Sequence, residues 1–169
     1  MDPSSARRPA RTYQSGKAVK ALRIASVLGA LLICAWMLWE YRGIADTAAT
    51  NPDAGGTTGR YGHGPQMLWG STAMLATILL IAWGSKHPAR LNYPFQITEQ
   101  NAQPVYREGE RTLAWVAGAL MVLDLGLARG SIGAASAGLE AAGLLLLAAA
   151  GAIGIMRIIR AGRPGTQQG

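Results

Sequence analysis

The sequence predicts an all-α integral membrane protein with four transmembrane helices, arranged as two antiparallel hairpins joined by a cytoplasmic strap at residues 90–111. Half of the 169 residues are hydrophobic and only 15% are charged, which is too apolar for an ordinary soluble domain. The apolar residues are concentrated in four long runs, and all eight prolines lie outside these runs or at their ends. Spans without internal proline are expected to be unbroken helices.

The first segment, residues 1–20, is a basic cytoplasmic tail with a single acid, Asp2. Its low hydrophobicity and two prolines indicate disorder in isolation. Basic residues next to an apolar run are expected to bind anionic lipid. The basic residues of the tail are Arg7, Arg8, Arg11, Lys17 and Lys20.

The first hairpin is expected from two spans, at about residues 21–41 and 65–85. The first would extend over about 31 Å, the thickness of the hydrocarbon core, if Arg23 reaches back to the headgroups. Trp39 lies near its end, where aromatic rings favour the interface. The second span starts with Pro65, which a helix tolerates in its first turn.

The second hairpin is expected from spans at residues 112–128 and 132–157, joined by a tight turn at residues 129–131. The third run is short, and a helix starting at Pro104 would lengthen it on the strap side. Residues 158–169 form a second basic tail. Residues 21–128 thus hold three spans, followed by the fourth.

The distribution of basic residues predicts the orientation. Thirteen of the sixteen lie on the side of the tails and strap, and only Arg42, Arg60 and Arg129 lie on the other side. The positive-inside rule therefore places both termini and the strap in the cytoplasm, across a bacterial inner membrane. Because the basic residues flank apolar runs, the net charge of +7 does not indicate nucleic-acid binding.

Two acids, Asp124 and Glu140, interrupt the third and fourth runs. An ionisable group inside a bilayer is costly unless it is protonated, paired or hydrated. One interpretation is a proton or ion relay, or a site that captures a cationic partner. The other is a hydrogen-bonded carboxyl that holds helices together, with Arg129 within reach of Asp124.

A stripe of mostly small residues runs along the fourth span and includes Glu140. Small residues allow close approach of helix backbones, so the stripe predicts a helix interface, either within the bundle or with another protein. The stripe consists of Ser136, Glu140, Gly143, Leu147, Ala150 and Gly154.

No catalytic, cofactor-binding or metal-binding constellation is expected. His63 and His87 fall on opposite sides of the predicted membrane, and Cys34, the single cysteine, lies inside an apolar run. The chain also lacks a glycine-rich phosphate loop between a strand and a helix. The sequence therefore does not predict an enzyme.

The strap contains Asn92-Tyr93-Pro94, Ile97-Thr98 and Asn101-Ala102, followed by Tyr106. This segment resembles the N-Y-P-x-x-I-T-x-x-N-A motif of an uncharacterised bacterial membrane-protein family, which is related to the N-terminal part of Sdp-type toxin-immunity proteins. The resemblance covers residues 22 to about 117 and implies the family's fold. The matching strap residues are Asn92, Tyr93, Pro94, Thr98 and Asn101.

The predicted outer loop resembles the same family less closely. Gly56, Arg60 and Tyr61 match the family's G and R-Y-G positions, but Asn51 stands where the family has the histidine of a P-x-H motif. Ala49 likewise replaces a proline. The loop has thus lost its titratable ligand.

The leading functional expectation is a non-catalytic interaction protein, an accessory or stabilising subunit of a larger bacterial membrane complex, for example an energy-transducing one. The expected partners are the lipid bilayer, other membrane-protein subunits and, through the basic tails, anionic lipid. The alternative is a toxin-immunity or ligand-sensing receptor that binds at the outer loop. A proton-coupled carrier using Asp124 and Glu140 is the third possibility.

Overall fold

The structure, a computed structural model, describes residues 8–50 and 64–163, with side chains described for residues 8–42 and 68–163. In this part of the chain the protein is all helical and contains no strand. The four helices are each long and apolar enough to cross a membrane, which confirms the predicted fold class. They are α1 (Lys17–Thr50), α2 (Gly64–Lys86), α3 (Ala102–Ser131) and α4 (Ala137–Gly162), with a 3₁₀ turn at Pro88–Arg90 between α2 and α3.

Helix α1 is longer than the predicted first span at both ends. It begins at Lys17, four residues before the predicted start, and continues to Thr50. Lysine, arginine and alanine are good helix formers, so the helix continues where the apolar run has stopped. The sequence has no proline between the apolar run and residue 52, so no proline interrupts the helix before Thr50.

Helix α3 also begins earlier than its apolar run, at Ala102, with Pro104 in its first turn. The predicted extension towards the strap is thus present. Its other end differs from the expected tight turn at residues 129–131, which are still helical. The turn follows at Gly133, the one glycine of the described chain with positive φ, at 78°.

The turn after α3 has the hydrogen bonds of a Schellman motif. The Gly133 amide donates to the Gly130 carbonyl at 3.0 Å, and the Ala134 amide donates to the Arg129 carbonyl at 3.0 Å. A glycine at this position adopts the left-handed conformation without the clash that a Cβ would cause. The fourth helix consequently starts at Ala137, five residues later than predicted.

Helix α3 is the centre of the bundle, because it contacts α1, α2 and α4. Helix α4 packs almost entirely against α3. Only 11% of the most apolar stretch of α4 is buried, compared with 39% for that of α3. One buried core cluster joins Ala30 of α1, Ile78 of α2 and Ala117 of α3, and a second joins Ile33 and Met37 of α1 to Ala128 of α3. Thus three helices form a compact cluster, and α4 is attached to one side of it.

Candidate functional site

A buried ion cluster joins several elements at the end of the bundle where residues 87–101 connect α2 to α3. We call this the strap end, because these residues include the first part of the strap. Glu110 on α3 is only 2% exposed and pairs with Arg11 at 3.2 Å and with Arg23 at 3.4 Å. The hydroxyl of Ser15 also donates to its carboxylate. A carboxylate buried to this degree is tolerated because it is paired and hydrogen-bonded.

Arg23 extends the cluster to α2. Its guanidinium donates to Ser85 Oγ at 3.2 Å, and Ser85 donates to the Ala82 carbonyl at 2.8 Å. The expectation that Arg23 reaches out to lipid headgroups is therefore wrong, since the side chain is buried between three helices. Arg23 pairs with the Glu110 carboxylate on α3 instead of extending to the membrane surface.

Residues 8–16, before α1, lie against the strap end, whereas the sequence indicated a tail that is disordered in isolation. Arg8 donates to the Leu91 carbonyl at 2.6 Å, and the Thr12 amide donates to Gln103 Oε1 at 3.0 Å. Gln103 in turn donates to the Ala10 carbonyl at 2.8 Å. The composition of residues 8–16 is that of a disordered tail, but the polar surface of the chain itself supplies the partners.

Tyr13 lies between the arginines of this segment and α3. The guanidinium of Arg11 is 4.4 Å from the centre of its ring, and that of Arg107 is 5.2 Å away, a cation–π arrangement. Burial, followed by the nearby Glu110 carboxylate, raises the pKa of the Tyr13 phenol. The ring therefore remains neutral and contributes contact area to the cluster.

Strap residues connect α3 and α4; we call the contacts of Tyr93, Phe95 and Asn101 the clasp. The Tyr93 hydroxyl donates to the Pro88 carbonyl at 3.0 Å, and its ring lies 6.0 Å from the ring of Tyr106 on α3. Phe95 lies against Gly162 at the end of α4. Tyr93 and Phe95, the two strap aromatics, therefore pack against the protein.

Asn101 organises the remainder of the strap. Its side-chain oxygen accepts from the Thr98 amide at 2.9 Å, and its amide nitrogen donates to the Gln96 carbonyl at 3.1 Å and to the Gly162 carbonyl at 3.4 Å. Thr98 begins the turn that leads into α3, since its carbonyl accepts a hydrogen bond from the Ala102 amide at 2.9 Å. Asn92 and Pro94 are exposed.

The stripe on α4 packs against α3 within the chain. A Cβ built at Gly143 would lie 2.6 Å from Leu123 Cα, and one built at Gly154 would overlap the side chain of Thr112. At the start of the stripe, Ser136 and Glu140 lie against Gly130. Of the two predicted interfaces, within the bundle or with another protein, the structure uses the stripe for the first.

The two intramembrane acids have separate environments. Glu140 accepts a hydrogen bond from Ser136 at 2.6 Å and lies against Gly126, so it belongs to the interface between α3 and α4. Asp124 is 2% exposed, and its Oδ2 has no partner among the described residues. The four ion pairs found in the described ranges do not include Arg129 with Asp124.

A groove lies between α1 and α4, with α3 as its floor, and has a cavity volume of about 790 Å³. Leu22, Trp115 and Ile153 represent the three helices that line it. Its strap end is charged, because Glu108 and two arginines border it. Sequence reasoning missed this site, since its residues come from three separate spans.

The predicted outer-loop residues Asn51, Gly56, Arg60 and Tyr61, as well as His63, lie outside the described residues. The receptor hypothesis that depends on them stays a prediction.

Comparison with protein-family models, curated proteins and solved structures found no match to this chain. The resemblance to the immunity-related family stays a prediction as well.

Sequence reasoning also missed Glu110 as the centre of the ion cluster. The available signal was weak: Glu110 lies in a charged run at the start of α3, whereas Arg23 lies at the edge of an apolar run, close to Lys20. An arginine at such an edge can pair across the bundle or extend to lipid. Only the packing of α1 against α3 selects the first.

Proposed function

We propose that this protein is a non-catalytic accessory or stabilising subunit of a larger bacterial membrane complex, for example an energy-transducing one. The observation that supports it best is the position of α4, which packs almost entirely on α3 and leaves most of its own surface uncovered. A helix at the side of a compact three-helix cluster can bridge that cluster to a neighbouring subunit.

The uncovered surface of α4 includes several large apolar side chains. Leu145 is 72% exposed, Ile155 58% and Leu144 56%. Because the small-residue stripe is already covered by α3, a partner would pack against this other side of α4. Interfaces between membrane helices depend on van der Waals contact, and long aliphatic side chains can interdigitate with those of a partner.

The ion cluster and the clasp support the same proposal from the other end. They connect the N-terminal segment, α1, α2, α3 and the end of α4 through buried or partly buried polar contacts. Such connections hold the bundle in one shape and would present α4 to a partner in a fixed orientation. The proposed orientation places both termini on the cytoplasmic side of a bacterial inner membrane, and it rests on the distribution of basic residues along the sequence.

Position-dependent crosslinking tests the proposal. A photo-reactive residue at Leu145 on α4 is compared with one at Leu80 on α2, which is 67% exposed and serves as the matched control. We expect a discrete crosslink to one larger membrane protein from position 145 in native membranes and none from position 80. Equal products from both positions, or no protein crosslink from position 145, would refute the accessory role as stated.

A further inference from the structure

The groove between α1 and α4 is apolar along most of its length and opens to the surroundings of the bundle. Leu22 of α1 forms one wall, and Leu146 and Ile153 of α4 form the other. Trp115, on the floor, is 54% exposed even though α3 is the central helix. A water-filled groove with such walls would be unfavourable in a bilayer, so an apolar chain is its natural content.

The strap end of the groove has a different chemistry. Arg111 donates to Glu108 at 3.0 Å, and Arg157 lies 3.9 Å from the other carboxylate oxygen. The side chains of Arg111 and Arg157 are 42% and 50% exposed, whereas Glu108 is 19% exposed. Two arginines around one carboxylate leave one net positive charge on partly exposed side chains.

These charges stand at a boundary along the helices. Arg111 directly precedes the apolar run that begins at Thr112, and Arg157 directly follows the apolar run that ends at Met156. In a membrane such positions lie where hydrocarbon meets headgroups. The apolar part and the basic part of the groove therefore match the two parts of one lipid molecule.

We infer that the groove binds an anionic phospholipid, with an acyl chain along its apolar walls and the headgroup phosphate at Arg111 and Arg157. Arginine forks bind phosphate oxygens through parallel hydrogen bonds. Glu108 holds both guanidinium groups at the opening through its ion pairs. A zwitterionic lipid fits the apolar part equally well but gains less from the net positive charge.

Native mass spectrometry of the delipidated protein in mild detergent provides the test. The protein is titrated with phosphatidylglycerol or with phosphatidylcholine that has the same acyl chains. We expect one retained phosphatidylglycerol and about a fivefold preference over phosphatidylcholine, the effect of one net charge at an anionic lipid surface. Equal retention of the two lipids would overturn the inference.

Matched variants assign the effect to the groove. The double variant Arg111→Gln/Arg157→Gln is expected to lose the preference, and Ala149→Phe, which places a ring in the groove, is expected to lose retention of both lipids. Arg160→Gln removes an exposed arginine that does not border the groove, and it should behave like the wild type. If Arg160→Gln reduces the preference as much as the double variant, binding is a general effect of surface charge and the inference fails.

A second measurement uses proteins whose groove charges are intact. Phosphatidylglycerol with brominated acyl chains should quench the fluorescence of Trp115. The tryptophan fluorescence of the wild type should therefore be quenched more than that of Trp115→Phe. This difference should be smaller with brominated phosphatidylcholine. The same excess for both lipids would contradict a headgroup-specific site. A photo-reactive residue at Ala149 that crosslinks to a protein helix instead of lipid would also overturn the inference.

Discussion

At the scale of single residues, a side chain's partner decides its role. Tyr93 belongs to the strap motif, and its hydroxyl donates to the Pro88 carbonyl while its ring packs on Tyr106. Gly109 leaves the space that the hydroxyl occupies, since a Cβ there would lie 2.5 Å from it. The tyrosine is thus a packed structural contact of the strap end.

The ionisation of Tyr93 gives a prediction about alkaline pH. Burial, with a smaller contribution from Tyr106, raises the pKa of Tyr93 to about 12 from an ordinary value of 10.0. Below pH 10 the phenol is neutral in both the folded and unfolded protein. Between pH 10 and 12 the unfolded form ionises first, so the stability contributed by Tyr93 is expected to decrease as pH rises through this window.

An absorbance titration of tyrosinate ionisation in detergent checks the Tyr93 prediction. The difference between the wild type and Tyr93→Phe should titrate with a midpoint near 12. A midpoint near 10 would show that the phenol is not buried as described.

At the scale of elements, the pair formed by α3 and α4 depends on backbone proximity. Glycines on α4 that face α3 leave no room for a side chain, whereas Gly138 and Gly151 on the same helix have nothing within 4 Å of a built Cβ. The same residue type therefore has two roles on one helix. Position relative to α3 distinguishes them.

This difference provides a matched pair of variants. Gly143→Ala would place its methyl group against the α3 backbone at Leu123, and overpacking of this kind typically costs about 1–3 kcal/mol. Gly151→Ala meets open space and should be neutral or slightly stabilising, because alanine is the better helix former. Thermal unfolding in detergent is expected to show a lower Tm for Gly143→Ala only. Equal effects of the two substitutions would mean that the stripe does not face α3.

At the scale of the whole molecule, Glu110 connects more elements than any other described acid. It pairs with Arg11 of the N-terminal segment and Arg23 of α1, and Arg23 reaches Ser85 of α2. Removing one member of a buried ion cluster leaves the others charged and uncompensated. Removal of the Glu110 charge is therefore expected to destabilise several elements of the bundle.

We expect Glu110→Gln to destabilise the fold by about 3 kcal/mol, because Arg23 would remain buried without a counter-charge. The readout is thermal unfolding in detergent, together with faster proteolysis in the segment before α1. The control is Glu99→Gln in the exposed part of the strap, which should change little. Unchanged stability of Glu110→Gln would contradict the cluster.

The sequence by itself determined the membrane class and the number of spans, because long uncharged runs have no other favourable environment than a bilayer or a buried core. It also indicated that Pro104 lies at the start of a helix. Element ends were less certain, since good helix formers extended α1 beyond its apolar run and the Gly133 turn moved the start of α4.

Only the tertiary structure decided which polar groups meet. Glu110 and Arg23 are far apart in the chain and come together because α1 packs on α3. The stripe on α4 was compatible with an internal or an external interface, and the proximity of α3 selected the internal one. The physical reason is the same in both cases: hydrophobic periodicity shows that a surface is covered, whereas the identity of the covering surface depends on long-range packing.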